Sequence, residues 1–269
     1  MSEGGIVTEL GIKGRNVLVV GASKGIGRAI ALGFAAEGAR LVTVARSEDL
    51  LKTLSADAAA AGAQAFAYEI ADVMNIDNKG FAKKLLQKYG DFEIVVYNVG
   101  GSLISRDPLG GTDDWEYALK FNALAAIDMS SVIIPRMVAK KWGRVIHISS
   151  ISGVMLRGNP LYASAKAFLN AYVTSVGRAL AKDGIVMSAV MPGAVAFDGS
   201  YWDKRSKDFE KPAGGGKSGV EICADFLWHH QAVDRFGTPE EIANAVLFMA
   251  SEKASFMPAA LIPVDGANM

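Results

Sequence analysis

Cysteine is nearly missing from this chain of 269 residues: Cys223 stands alone, so no disulfide can close within it, and a reducing compartment is expected. An excess of charge is missing as well. Lysine plus arginine number 28 and aspartate plus glutamate 28, with no block of either sign, which makes nucleic acid and anionic membranes poor partners. No unbroken apolar run reaches the roughly 18 residues that cross a bilayer. The start, Met1-Ser2-Glu3-Gly4-Gly5, has neither a basic stretch nor an apolar core, so no signal peptide is expected. Histidine is scarce, and the adjacent pair His229-His230 points to different helix faces with no partner at metal-ligand spacing, so no metal is expected. These absences leave a cytoplasmic protein of one domain.

What is present is a globular composition, 51% hydrophobic and 21% charged, which excludes disorder. Seven short β-branched or apolar runs are each candidates for strands: 17–20, 41–44, 65–70, 94–97, 144–148, 185–190 and 260–264. Helix-like stretches lie between them. Near-continuous apolar strands suit a sheet covered on both faces, and the alternation predicts an α/β fold with a doubly wound, mostly parallel sheet of seven strands. Ile26, Ile30 and Phe34 recur at helical spacing, and Thr238-Pro239-Glu240-Glu241 has the form of a helix start with a capping box ahead of Ile242, Val246 and Met249. The stretch at about 197–220 breaks the rhythm, being rich in Gly, Lys, Asp and aromatics, and is either a substrate-covering loop or simply mobile.

The first strand runs directly into Gly21-Ala22-Ser23-Lys24-Gly25-Ile26-Gly27, which opens a helix. Glycines there let a pyrophosphate approach the backbone N–H groups of the helix N-terminus. At the end of the second strand, where an acidic residue would read a ribose 2′-hydroxyl, the sequence has Arg46. A cation at that place, with Lys24 in the turn, favours a 2′-phosphate and hence NADP(H) over NAD(H). Further along, Tyr162 and Lys166 lie four apart at the start of a helical pattern, on one face. An ammonium near a phenol lowers its pKa toward working pH. Ser149, 13 residues before Tyr162, closes a strand, where its hydroxyl could hold a substrate oxygen.

With these motifs the chain resembles the short-chain dehydrogenase/reductase family over essentially its whole length. The family's glycine turn matches Gly21, Gly25 and Gly27, its strand-four Asn-Ala-Gly matches Asn98-Val99-Gly100, and its Ser, Tyr and Lys fall on Ser149, Tyr162 and Lys166. The resemblance implies a Rossmann fold, direct hydride transfer with Tyr162 as acid/base, Lys166 on the nicotinamide ribose, and Asn122 holding a water that extends a proton relay. It also implies cofactor contacts from Ser23, Lys24 and Ile26 in the glycine turn, from Asp72, whose side chain reaches the adenine, from Val73 beside it, and from Pro192, Gly193 and Val195 at the nicotinamide amide. A homotetramer is the implied assembly. Departures are Val20 before the first glycine, Phe197 where a threonine is common, and Met257-Pro258-Ala259 and Ala267 where Ile-Thr-Gly and Gly are common.

Other signals carry less. Gly214-Gly215-Gly216-Lys217-Ser218 lacks the leading glycine and the preceding strand of a phosphate loop, His147 inside a strand reads as structural, and Cys223 has no basic neighbour. Tyr201, Trp202 and Phe209, with Leu103, Ile104, Met155 and Leu156, suit a carbonyl compound with an apolar or ring body, while Arg205 and Lys207 lie between the aromatics. The expected activity is therefore reduction of a ketone by NADPH, reversible as alcohol oxidation. The alternatives are a 3-oxoacyl-thioester reductase and a dinucleotide sensor without turnover.

Overall fold

The structure, a computed structural model, describes residues 9–102, 107–200, 202–203 and 232–269. Seven strands form one sheet: β1 Asn16–Val20, β2 Arg40–Ala45, β3 Ala65–Ile70, β4 Ile94–Tyr97, β5 Gly143–Ile148, β6 Ile185–Pro192 and β7 Leu261–Val264. Their order is β3-β2-β1-β4-β5-β6-β7 and every pairing is parallel. The order reverses between β1 and β4, so the C-terminal ends of those strands diverge into a crevice.

Both faces are covered, which is why the strands read as continuous apolar runs rather than alternating ones. On one face lie α1 Gly25–Ala36, α2 Glu48–Ala61 and a later helix, α8 Pro239–Ala250, around Ile30, Phe34, Leu51, Leu54, Ile242 and Val246. On the other lie α3 Asn78–Tyr89, α5 Ala125–Ala139 and α7 Pro160–Leu180, packing Leu85, Met129, Ile133, Leu169 and Val173 against Leu18, Val95 and Val145. Two short helices, α4 Thr112–Leu119 and α6 Ser152–Met155, complete the set. The capping box of α8 is formed: Glu241 N–H donates to Thr238 Oγ1 at 3.3 Å and Thr238 N–H to Glu241 Oε2 at 2.9 Å.

From α4 through α5, Thr112–Ala139 is a single helical stretch of 28 residues whose most apolar window has a mean hydropathy of 1.3, long and apolar enough by those measures to cross a membrane. Interruption by polar residues hides it from a search for unbroken apolar runs. Its apolar positions Met129, Ile133 and Met137 are buried in the protein's own core. Within it, Lys120–Leu124 forms a turn of π-helix. At the other end of the chain, Ala259 and Ala267 take left-handed φ angles of 63° and 58°, so the backbone keeps a path suited to glycine. His147 is wholly buried, stacked on Tyr97 at 5.0 Å and edge-on to Tyr172 at 5.8 Å, and burial drives its pKa down to about 3.

Candidate active site

A cleft of about 930 Å³ opens over the C-terminal ends of the strands. Its walls include Gly21, Ser23, Lys24, Ile26, Arg46, Asp72, Val73, Asn98, Gly100, Tyr162, Lys166, Pro192, Gly193 and Val195, all expected at a dinucleotide site. Gly25 and Gly27 sit behind this surface, in the turn itself.

The turn is built for close approach. A Cβ on Gly27 would come within 2.0 Å of the Gly21 carbonyl oxygen, so the helix can leave the strand this tightly only without a side chain there. Asn98 Nδ2 donates to that same carbonyl at 2.9 Å and pins it. Helix α1 then begins with no side-chain cap and no acidic residue in its first turn. Uncapped N–H groups at a helix N-terminus beside a cleft suit an anion, so the residues fit the pyrophosphate of a dinucleotide. Arg46 is 73% exposed, held loosely with Nη1 3.9 Å from Asp72 Oδ2, and so is available to a second anionic group. Asp72 meanwhile accepts from Met74 N and Asn75 Nδ2, both at 3.1 Å, shaping the turn after β3.

Opposite the turn, α7 starts where Asn159 accepts from Leu161 N at 3.0 Å and Tyr162 N at 3.4 Å, with Pro160 in the first helical position. This start places Tyr162 and Lys166 one turn apart on the cleft wall. Lys166 is buried at 3% exposure, donates to the Ile148 carbonyl at 2.9 Å and lies 5.7 Å from the Tyr162 ring centroid. Burial lowers its pKa to about 7. Burial also pushes the Tyr162 phenol above its ordinary value, against a smaller lowering from a hydrogen bond with Ser150. The resting tyrosine is thus a protonated phenol, the form a general acid requires.

Asn122 lies in the π-helical turn, which rotates its side chain toward β4: Oδ1 accepts from Gly101 N at 2.9 Å, and Nδ2 donates to Ala118 O at 3.1 Å. A Cβ on Gly100 would meet Asn122 Oδ1 at 2.7 Å and Lys166 Nζ at 2.9 Å, so these two polar groups converge on one bare backbone position. Ser149 borders the cleft, but its Oγ donates to Asn170 Oδ1 at 2.6 Å. Ser150, which spacing did not single out, is the serine bonded to Tyr162. Phe197 lies against the glycine turn, its ring 2.3 Å from where a Gly25 Cβ would stand. Trp202 packs on Phe236 at 5.4 Å between ring centroids. The other aromatic and basic residues expected over the substrate (Tyr201, Arg205, Lys207 and Phe209), with Leu103, Ile104, the 214–218 glycine run, Cys223 and His229-His230, fall outside the described residues. So does most of 197–220. Among the described residues no group of three or more His, Cys, Asp or Glu side chains could hold a metal.

The profile of the short chain dehydrogenase family matches residues 15–206. The 3-oxoacyl-(acyl-carrier-protein) reductase of Escherichia coli is 31% identical over 261 residues, covering 96% of this chain and 98% of that protein. The Thermotoga maritima enzyme of the same name is 29% identical over 262 residues, covering 95% and 98%. Among solved structures, L-sorbose reductase of Gluconobacter frateurii, complexed with NADPH and L-sorbose, aligns with a TM-score of 0.89 at 28% identity, covering 97% of this chain and 99% of that one. A 3-oxoacyl (acyl-carrier-protein) reductase of Agrobacterium tumefaciens with NADP bound gives 0.85 at 28% identity, covering 96% of each.

Proposed function

The chain belongs to the short-chain dehydrogenase family, and on that premise we propose that it is an NADP(H)-dependent oxidoreductase reducing a ketone to a secondary alcohol, reversibly. The observation that carries this reading is the protonated phenol of Tyr162 beside Lys166, on a cleft wall that faces an uncapped helix N-terminus. When bound, the dinucleotide supplies the hydride that reaches the carbonyl carbon. Tyr162 gives its proton to the carbonyl oxygen, a contribution of about 10²- to 10⁴-fold for a positioned general acid. Lys166, with a pKa near 7, can pass a proton back to Tyr162 close to neutral pH, and Asn122 beside it holds the water that continues the relay. The N-terminus of α1 holds the pyrophosphate, while Arg46 and Lys24 take the 2′-phosphate. Asp72 and Val73 border the adenine, and Pro192, Gly193 and Val195 the nicotinamide amide. Phe121, Met155, Phe197 and Trp202 line the remaining space and favour an apolar or ring-bearing substrate.

The narrower reading is a 3-oxoacyl-thioester substrate, supported by the 31% identity to a protein of that activity over nearly the full chain. A cytoplasmic homotetramer is the assembly we propose. The exposed apolar side chains of Tyr117, Leu124 and Phe168 are in keeping with further subunits. Initial rates with NADPH and NADH against cyclic, aryl, sugar and 3-oxoacyl ketones test the reading. Turnover that prefers NADPH is expected, and Arg46→Asp should weaken NADPH far more than NADH. Equal weakening of both would contradict the phosphate assignment, and no turnover with any ketone would favour a sensor.

A further inference from the structure

The chain has no net charge, yet the described walls of the cleft are lopsided. Four cations line them, Lys24, Arg46, Arg157 and Lys166, against one carboxylate, Asp72. Three of the four have an occupation. Lys24 and Arg46 serve the 2′-phosphate in the reading above, and Asp72 lies 3.9 Å from Arg46. Lys166 is buried, donates to Ile148 O and stands beside Tyr162. Arg157 is left over: it is exposed, and among the described residues its guanidinium has no hydrogen-bond or ion-pair partner. An arginine does not shed its charge at any working pH, so this cation stands in the cleft wall under all conditions.

Its place is fixed from both sides. Left-handed backbone at Leu156 and Gly158, with φ of 54° and 88°, sets Arg157 at the tip of a turn between α6 and α7. Asn159, two residues on, is buried and caps α7 by accepting from Leu161 N and Tyr162 N. The turn that carries Arg157 is therefore anchored to the same helix start that presents Tyr162. Apolar Met155 and Phe121 line the same cleft, so a substrate body lying there has a fork of N–H donors within the wall. We propose that Arg157 binds a carboxylate carried by the substrate, and that the ketones reduced are oxo acids with an apolar or ring body. A planar guanidinium meets a carboxylate in two parallel hydrogen bonds, and a single fork neutralises a single charge. A phosphate on a thioester carrier is the other anion such a fork takes. That phosphate trails at the far end of a long arm, whereas Arg157 is five positions from Tyr162.

The proposal rests on the ketone-reductase reading, and its test keeps the two apart. Rates of NADPH oxidation are measured with acetoacetate, levulinate and 4-acetylbenzoate, each beside its methyl ester, in wild type, Arg157→Gln and Arg157→Lys. NADPH fluorescence titration verifies that each variant is folded. In at least one pair wild type should favour the acid by about tenfold in kcat/KM, the low end for a charged hydrogen bond because Arg157 keeps contact with water. That preference should vanish in Arg157→Gln and survive in part in Arg157→Lys, which keeps the charge and loses the fork. General damage to the fold would instead lower acid and ester together. Acetoacetyl-coenzyme A is compared with acetoacetyl-N-acetylcysteamine, which lacks phosphate. No acid preference in any pair, an acid preference that persists in Arg157→Gln, or an Arg157-dependent preference confined to the coenzyme A pair would each overturn the carboxylate assignment. Wild type inactive on every ketone would count against the reductase reading alone. Calorimetric titration of the NADP-loaded protein with the same acids and esters then decides. Acids binding more tightly than esters in wild type but not in Arg157→Gln would uphold the proposal, and no difference would overturn it.

Discussion

An ammonium enclosed at 3% exposure with one carbonyl partner, Ile148 O, is a costly thing to charge, and Lys166 meets that cost by a pKa near 7. The consequence for stability has a definite sign. Folded Lys166 binds a proton less readily than the unfolded lysine, whose ordinary value is 10.5, so between pH 7 and 10 the unfolded state holds more protons and stability rises with pH. Without cofactor, the Tm of wild type minus that of Lys166→Met should therefore climb across this window. A flat difference would mean the amine is not desolvated as the structure has it. Tyr162 and Lys166 could be paired from sequence because four residues make one helical turn, a geometry that holds for any helix. The partner of Ser149 could not be read so: Asn170 lies on α7, 21 positions away in sequence.

Elements were legible where a local rule fixes them. β-branched runs gave all seven strands to within two residues at each end, and Thr238 with Glu241 announced the start of α8. The π-helical turn at Lys120–Leu124 left no such mark, because one extra residue in a helix is set by what its side chains reach, here Asn122 to Gly101. Ala259 and Ala267 are the converse case: the glycine signal is gone, yet the backbone stays left-handed. An L-residue in that region costs roughly 1–2 kcal/mol, partly offset by the freedom a glycine adds to the unfolded chain. Ala259→Gly and Ala267→Gly should each stabilise the protein by up to about 1 kcal/mol in urea unfolding. Destabilisation by both would show that the methyl groups are needed for packing.

For the whole molecule, the alternation of strand and helix implies a doubly wound sheet, and a doubly wound sheet implies a crevice where its order reverses. The reversal between β1 and β4 brings together the glycine turn from residues 21–27, Asn98-Val99-Gly100, and the Tyr162 helix. These groups are far apart in sequence and share a cleft only because parallel strands all end on the same side. Substrate identity was less legible, since apolar walls such as Phe121, Met155 and Trp202 constrain shape and polarity without naming a compound. Phe197 illustrates the limit: its type is evident in the sequence, but its position against the glycine turn depends on how the chain folds after β6. The central claim is that a protonated Tyr162 gives its proton to a ketone oxygen in an NADPH-dependent reduction. The most direct test is the kcat of Tyr162→Phe on the best ketone of the panel, with NADPH binding measured on the same sample. Loss of at least about 10²-fold in kcat with NADPH binding retained is predicted; near-full turnover would contradict the account.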